Sequence, residues 1–433
     1  MRRRILLIAA AVVLLAAGIA VAAVVRLNDQ PSGGLDTDLQ GVSVSTASDT
    51  AAEPETTTEA TQPTSTEKEP EPKKPKEGPC WTEYGGNPQR MNSRPDIHLG
   101  KPVRPTVWAR GMGGLMEYPP SFCDGRLYVN LDEGDTIAVN AATREIIWSR
   151  NTGPLHASTP AIAGPVLIVS AHDGSVTGLR RSDGKKLWRV QTQGKVESSP
   201  VAIDGTAYFA STDGRVFAVN VRTGEIRWAF DTGGRMNSSP SIWGNSLFIS
   251  TYTGAVFALR RDDGRKLWST YVKRDALRFE SFYASPSTDG KRVYTTSRAG
   301  KVVAFSARTG RVVWTRQFGQ YGYATPTLAY GRVFVGTYDG SMRALRATDG
   351  ATIWSRSVGG GIHAAALVVG NLVFFTGGNK SHALRVADGK RVWSYNAGAY
   401  GIGIATNRHY YFSLAGLLVA FRGENSPKKT SDG

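Results

Sequence analysis

Residues that usually carry chemistry are few in this chain, with two cysteines and six histidines among 433 residues. Cys80 and Cys123 are separated by 43 positions, so they cannot form a redox ring between adjacent residues, and the histidines do not cluster around either of them. A zinc site needs more ligands at tighter spacing. Serine and threonine are frequent, yet no Gly-x-Ser-x-Gly segment occurs, so the strained turn that presents a nucleophilic serine is missing. The expectation is a protein without a catalytic centre. In an exported domain the two cysteines would pair with each other. Closing a loop of that length is worth up to about 4 kcal/mol.

The abundant pattern is structural. Trp108, Trp148, Trp188, Trp228, Trp268, Trp314, Trp354 and Trp393 follow one another at 40, 40, 40, 40, 46, 40 and 39 residues. One phrase recurs upstream of them, as in the stretch from Ala218 through Asn220 and Thr223-Gly224 to Trp228, and from Ala304 through Ser306 and Thr309-Gly310 to Trp314. Variants carry Asp183-Gly184, Asp263-Gly264, Asp349-Gly350 and Asp388-Gly389. These pairs lie between short apolar runs, where a hairpin needs residues that tolerate positive φ. Further turns fall at Asp173-Gly174, Asp213-Gly214 and Asp339-Gly340, and at Asp204-Gly205, Gly244-Asn245, Asp289-Gly290 and Gly370-Asn371. The runs between them are rich in β-branched and aromatic residues, which predicts four strands per repeat and no long helix after residue 80. Units of about 40 residues with four strands are propeller blades, because one small sheet cannot bury both faces alone. Seven complete repeats end at Trp148 through Trp393. The C-terminal piece, Gly401 to Arg422, supplies three strands, and the strand of Trp108 completes the eighth blade and closes the ring.

A propeller presents its variable groups where inner strands begin, at the mouth of the central channel. Aligned on Pro120, Pro160, Pro200, Pro240, Pro286 and Pro326, with Ala366 in the same register, most positions repeat. Two residues earlier lie small side chains (Ser158, Ser198, Ser238, Ala284, Ala324, Ala364). Three residues earlier the identity varies: Glu117, Ala157, Glu197, Asn237, Tyr283, Tyr323 and His363. That ring of polar and aromatic groups is the first candidate binding surface. The six extra residues between Trp268 and Trp314 fall in Lys273-Arg274-Asp275-Ala276-Leu277-Arg278-Phe279-Glu280 and predict a protruding loop. With Arg278 and Phe279 it is a candidate interface anchor, and Lys273 and Arg274 add charge.

The phrase Ala-x-Asp-x-x-Thr-Gly-x-x-x-Trp, in seven imperfect copies over about 320 residues, resembles the signature of the PQQ-type repeat. That repeat is met in quinoprotein dehydrogenases and in the outer-membrane assembly lipoprotein BamB. The segment from Trp81 to Pro88 is similar to the lead-in before the first blade of such proteins. The residue after each repeat tryptophan is Ala, Ser, Arg or Thr and never Asp, unlike a WD40 propeller. The resemblance implies an all-β, eight-bladed propeller. For the dehydrogenases it implies a quinone held against a tryptophan and a disulfide of adjacent cysteines, beside a calcium bound by carboxylates and carbonyls. This chain lacks the adjacent cysteines, so no cofactor is expected, and PQQ with calcium belongs only to the rival reading of a quinoprotein oxidoreductase.

The N-terminus carries Arg2, Arg3 and Arg4 before an uncharged run of 21 residues from Ile5 to Val25. As a helix that run spans roughly 30 Å, the thickness of a bilayer's hydrocarbon core, whereas a signal-peptide core covers about 7 to 15 residues. Residues 1–26 are therefore expected to form a cytoplasmic stub and single-pass signal anchor, with everything beyond lying outside the cytoplasmic membrane. Residues 27–79, rich in Thr, Pro and Glu, read as a disordered linker, 80–423 as the propeller and 424–433 as a disordered tail. The linker carries eleven acids against four lysines, and the first 26 residues carry four arginines, so the formal +16 becomes about +19 on the folded part. Outside the membrane, envelope proteins or anionic wall and lipid surfaces are the expected partners, and nucleic acid is not. The expected function is non-catalytic binding or scaffolding, with a ligand-sensing propeller as a further alternative.

Overall fold

Short β-branched and aromatic runs, each ended by a turn residue, fold locally into antiparallel meanders. The structure is a computed structural model that describes residues 80–427, apart from 157, 320–321, 399–400, 402 and 415, together with two strand segments, Gly34–Leu35 and Ser43–Thr46. The expected anchor over 1–26, the rest of the expected linker and the chain beyond 427 lie outside the described residues. Among the described residues, no helix is long and apolar enough to cross a membrane.

Eight four-stranded antiparallel meanders make up the propeller. Blade 3 shows the pattern: Val201–Ile203, Thr206–Ala210, Arg215–Asn220 and Ile226–Asp231 pair in sequence order from the axis outward. Its third strand sets Ala218 opposite Trp228, and the register slips immediately after Ala218. The same small-residue pairing recurs as Ala138 with Trp148, Gly178 with Trp188, Ala304 with Trp314 and Ala344 with Trp354. The alanine of the repeated phrase is thus the low spot that lets the indole lie across the sheet. Blade 8 joins the chain ends: Gly403–Ala405, His409–Leu414 and Leu417–Gly423 are completed by Pro102–Gly111, with Trp108 opposite Ala420.

Neighbouring blades are tied by the same tryptophans. Each indole N–H from Trp108 to Trp354 donates to a backbone carbonyl of the following blade, for example Trp188 to Val221 O at 2.8 Å and Trp228 to Arg261 O at 2.9 Å. The turn glycine of that blade lies against the indole: a β-carbon on Gly224 would come within 2.8 Å of Trp188, and one on Gly264 within 2.7 Å of Trp228. The arginine two residues after the tryptophan reaches the same turn, as Arg150 does to Asp183 O at 3.0 Å and Arg316 to Asp349 O at 2.7 Å.

The lead-in crosses the inner edges of the blades as a thread. Phe122 N donates to Trp81 O, Ile162 N to Thr82 O, Ile242 N to Pro88 O, Thr288 N to Gln89 O, Leu328 N to Met91 O and Val368 N to Asn92 O. In blade 3 the equivalent amide, on Ala202, is 3.5 Å from the Glu83 carboxylate. The thread ends as Ser93–Arg94, a short parallel strand on the inner strand of blade 7. At the chain's other end, Glu424 N and Asn425 N donate to Lys101 O and Leu99 O. On the periphery, Gly34–Leu35 pairs with the outer strand of blade 3 and Ser43–Thr46 with that of blade 2.

Candidate functional site

Inner strands begin beside the axis, so the segment preceding each one crosses the channel mouth. The residue just before the reference proline is Thr159, Ser199, Ser239 or Ser285 in blades 2 to 5, and these form a belt. Thr159 N donates to Ser199 Oγ, Ser199 N to Ser239 Oγ and Ser239 N to Ser285 Oγ, at 2.8 to 3.0 Å. The belt fixes the backbone, and the residues two positions earlier in each blade are held at the rim of one cavity.

That cavity, of about 260 Å³, is lined by all six ring residues predicted from the repeats: Glu117, Glu197, Asn237, Tyr283, Tyr323 and His363. Tyr84 and Asn92 of the thread also line it, as does Tyr118. The ring is two-sided. Blades 1, 3 and 4 contribute Glu117, Glu197 and Asn237, and blades 5, 6 and 7 contribute Tyr283, Tyr323 and His363. Asn237 donates its amide to Glu197, leaving its own Oδ1 buried without a partner. Burial pushes the Glu117 carboxyl above its ordinary range, and the negative charges of Asp132 and Glu197 add to the shift. Tyr283 meets Tyr323 edge to face at 5.2 Å. Burial lowers the His363 pKa, which favours the neutral ring.

A second set of mouth residues escaped the sequence reading. His172, Tyr252 and Tyr338 occupy one position, two residues before the glycine of the second turn, in blades 2, 4 and 6. Each meets the ring residue of the next blade: His172 Nε2 lies 3.9 Å from Glu197, the Tyr252 ring lies tilted against Tyr283 at 4.1 Å, and Tyr338 stands edge-on to His363 at 4.9 Å. Aligning that turn across repeats, as was done for the proline, would have exposed the same kind of variation.

The inserted segment is an exposed hairpin-like loop. Arg274 N donates to Arg278 O, and Asp275 accepts from the amides of Leu277 and Arg278 and pairs with the Arg278 guanidinium. Lys273 bridges to Phe279, whose ring packs at 5.5 Å from Tyr271. Arg278 and Phe279 thus have partners within the loop, and Leu277, 92% exposed, is its most open apolar group. Buried Glu280 closes the base through Lys301 at 2.6 Å, three residues before Tyr283.

Beneath the cavity, the thread places two buried ionisable side chains, Glu83 and Arg90. Arg90 is wholly buried and donates to Pro240 O, Tyr84 O and Ser199 O at 2.7 to 2.8 Å, with its guanidinium 5.5 Å from the Tyr84 ring centre. Burial pushes the Glu83 carboxyl up to about 7, although the Arg90 charge pulls the other way.

Cys80 and Cys123 form a disulfide with Cα atoms 4.5 Å apart, joining the start of the thread to the inner strand of blade 1 as expected. Among the described residues the one grouping of three potential metal ligands is this disulfide with exposed Asp124, and neither sulfur has a thiolate to offer. Pyrroloquinoline quinone fits the cavity poorly. It is a tricarboxylate, and among the described residues the lining holds two glutamates with no lysine, arginine or tryptophan. Glu117 and Glu197 could serve a calcium ion, but the quinone itself would meet no compensating charge.

The family model described as outer membrane protein assembly factor BamB matches residues 99–273 and 253–402. No curated protein matches. Among solved structures, BamB from Moraxella catarrhalis superposes with a TM-score of 0.62 at 16% identity, covering 75% of this chain and 99% of that one. The quinohemoprotein alcohol dehydrogenase from Comamonas testosteroni superposes with a TM-score of 0.66 at 13% identity, covering 82% of each chain. A europium-containing methanol dehydrogenase gives 0.63 at 13%, covering 75% and 86%. At these identities the structural likeness establishes the fold, shared by an assembly factor and by dehydrogenases. The matched family model spans most of the propeller, and the chain belongs to the BamB-like family of PQQ-repeat β-propellers.

Proposed function

We propose that this protein is a non-catalytic binding module of the cell envelope, anchored by its N-terminal apolar segment, with its propeller outside the cytoplasmic membrane. The observation that carries this reading is the mouth of the axial cavity, where the residues that vary between blades converge above a thread-lined floor, beside a hairpin with an exposed Leu277. A concave site with a few convergent polar groups and an adjoining apolar anchor suits recognition of a protein segment. The BamB-like family supports an envelope protein as the partner, and the net positive charge favours an anionic lipid or wall surface alongside it.

The test is photo-crosslinking in intact envelopes from a probe at Leu277 or Tyr338 of the full-length protein. A defined protein captured from both positions, and lost when Glu197, Tyr283 and Phe279 are each replaced by alanine, is the expected result. Saturable binding of pyrroloquinoline quinone with calcium, accompanied by dye-linked alcohol oxidation, would overturn it in favour of an oxidoreductase.

A further inference from the structure

The lining of the axial cavity is one-sided in charge. Its acids, Glu117 and Glu197, face a space with no lysine or arginine in its wall among the described residues. Arg235 lies outside the lining, over the Tyr252 ring at 5.7 Å, and Lys195 lies near enough to His172 to lower its pKa. Two carboxylates that repel each other across a half-buried cavity are relieved by a cation placed between them. The rest of the donor set agrees. Asn237 Oδ1 is a buried acceptor without a partner, and Tyr283 and Tyr323 bring aromatic rings, which attract cations over their faces.

The fold already accommodates one such group. Directly under the cavity, the Arg90 guanidinium is held by four carbonyls and the Tyr84 ring, within the field of the Glu83 carboxylate. The cavity above offers carboxylates, an amide oxygen and tyrosines with no cation of its own. A divalent metal fits less well, because it needs about six or more oxygen ligands and, among the described residues, Glu117 and Glu197 belong to no group of three carboxylates or histidines close enough to share one ion.

Resting on the binding reading above, we propose that the axial cavity receives one cationic group, the ammonium or guanidinium of a lysine or arginine side chain on a protein partner, between Glu117, Glu197 and the wall of Tyr283 and Tyr323. A protein side chain is favoured over a free amine because the mouth opens beside the exposed hairpin, which gives the rest of a polypeptide a surface to rest on.

Calorimetric titration of the full-length protein with Nα-acetyl-lysine methylamide and Nα-acetyl-arginine methylamide tests this, with the norleucine analogue, n-butylamine and calcium chloride as comparisons. At least one of the two blocked amino acids should saturate with a Kd on the order of 1 mM or tighter. The norleucine analogue should bind at least tenfold more weakly. Glu117→Gln with Glu197→Gln should cost tenfold or more, and Tyr283→Leu about two- to fivefold, in proteins whose melting temperatures show that they are folded. Butylamine binding as tightly as the lysine compound would overturn the choice of a protein side chain and keep the cation. Equal binding of the norleucine analogue, calcium as the tighter ligand, no saturation by either cation, or full binding by the folded double variant would each overturn the proposal. Crosslinked capture that persists while cation binding fails would sink this inference and leave the binding module standing.

Discussion

Glu83 is 2% exposed, its carboxyl accepts long hydrogen bonds from Thr82 and the Ala202 amide, and burial raises its pKa from 4.5 to about 7. A carboxyl raised on folding stabilises the native state in its protonated form. Its contribution is complete below about pH 4.5 and is lost as the pH climbs through 7. Glu83→Gln should therefore leave stability near pH 4 unchanged and raise it at pH 8 by about 2 kcal/mol, measured by urea unfolding at both pH values. Nothing in the sequence singled out Glu83 or Arg90, because the thread occurs once and has no second copy for comparison. The six ring residues were legible for the opposite reason: seven blades share one backbone register, so a position free to vary declares itself. His172, Tyr252 and Tyr338 obey the same logic but sit next to a turn glycine, and the turn's geometric role masked their variation.

Between neighbouring blades, the contact of a turn glycine with an indole makes the repeat's spacing a physical requirement. Gly264 and Gly205 have the same φ of 73°, yet a β-carbon on Gly264 would lie 2.7 Å from Trp228, whereas nothing lies within 4 Å of one on Gly205. Gly205→Ala should cost about 1 kcal/mol from left-handed backbone strain alone. Gly264→Ala should cost about 2 to 4 kcal/mol, since the indole must also give way. The difference between the two chemical denaturation midpoints reads the blade–blade contact directly. The alanine, glycine and tryptophan of the phrase were visible as a repeat because their roles are fixed, the first as a low spot, the second as a positive φ and the third as a bridge. The direction of the bridge was not visible, since periodicity alone does not say whether an indole serves its own blade or the next. The hydroxyl belt was also missed, because serine and threonine are common enough on strand ends to pass for solvated surface.

For the molecule as a whole, blade count and closure followed from the unmatched pieces at the two ends of the repeat array, and the pairing of Pro102–Gly111 with Leu417–Gly423 bears that out. A chain beginning at Met112 would lack both the closing strand and the thread. It should lose two-state unfolding, with a calorimetric enthalpy exceeding the van't Hoff value, whereas a chain beginning at Pro79 should keep a single transition. Several of the arginines behind the net positive charge have partners within the blades. Arginines such as Arg260 and Arg385 pair with Asp263 and Asp388 across the turns beside their own strands, and Arg150 and Arg356 bind turn carbonyls of the next blade. The disulfide has a mechanical consequence. Any tension arriving along the backbone ahead of Cys80 is shunted through the sulfur bridge into Cys123, in the inner strand of blade 1. The load path bypasses the thread, so a pull on the chain ahead of Cys80 would be borne by the sheet and could not unpick the stitches one by one.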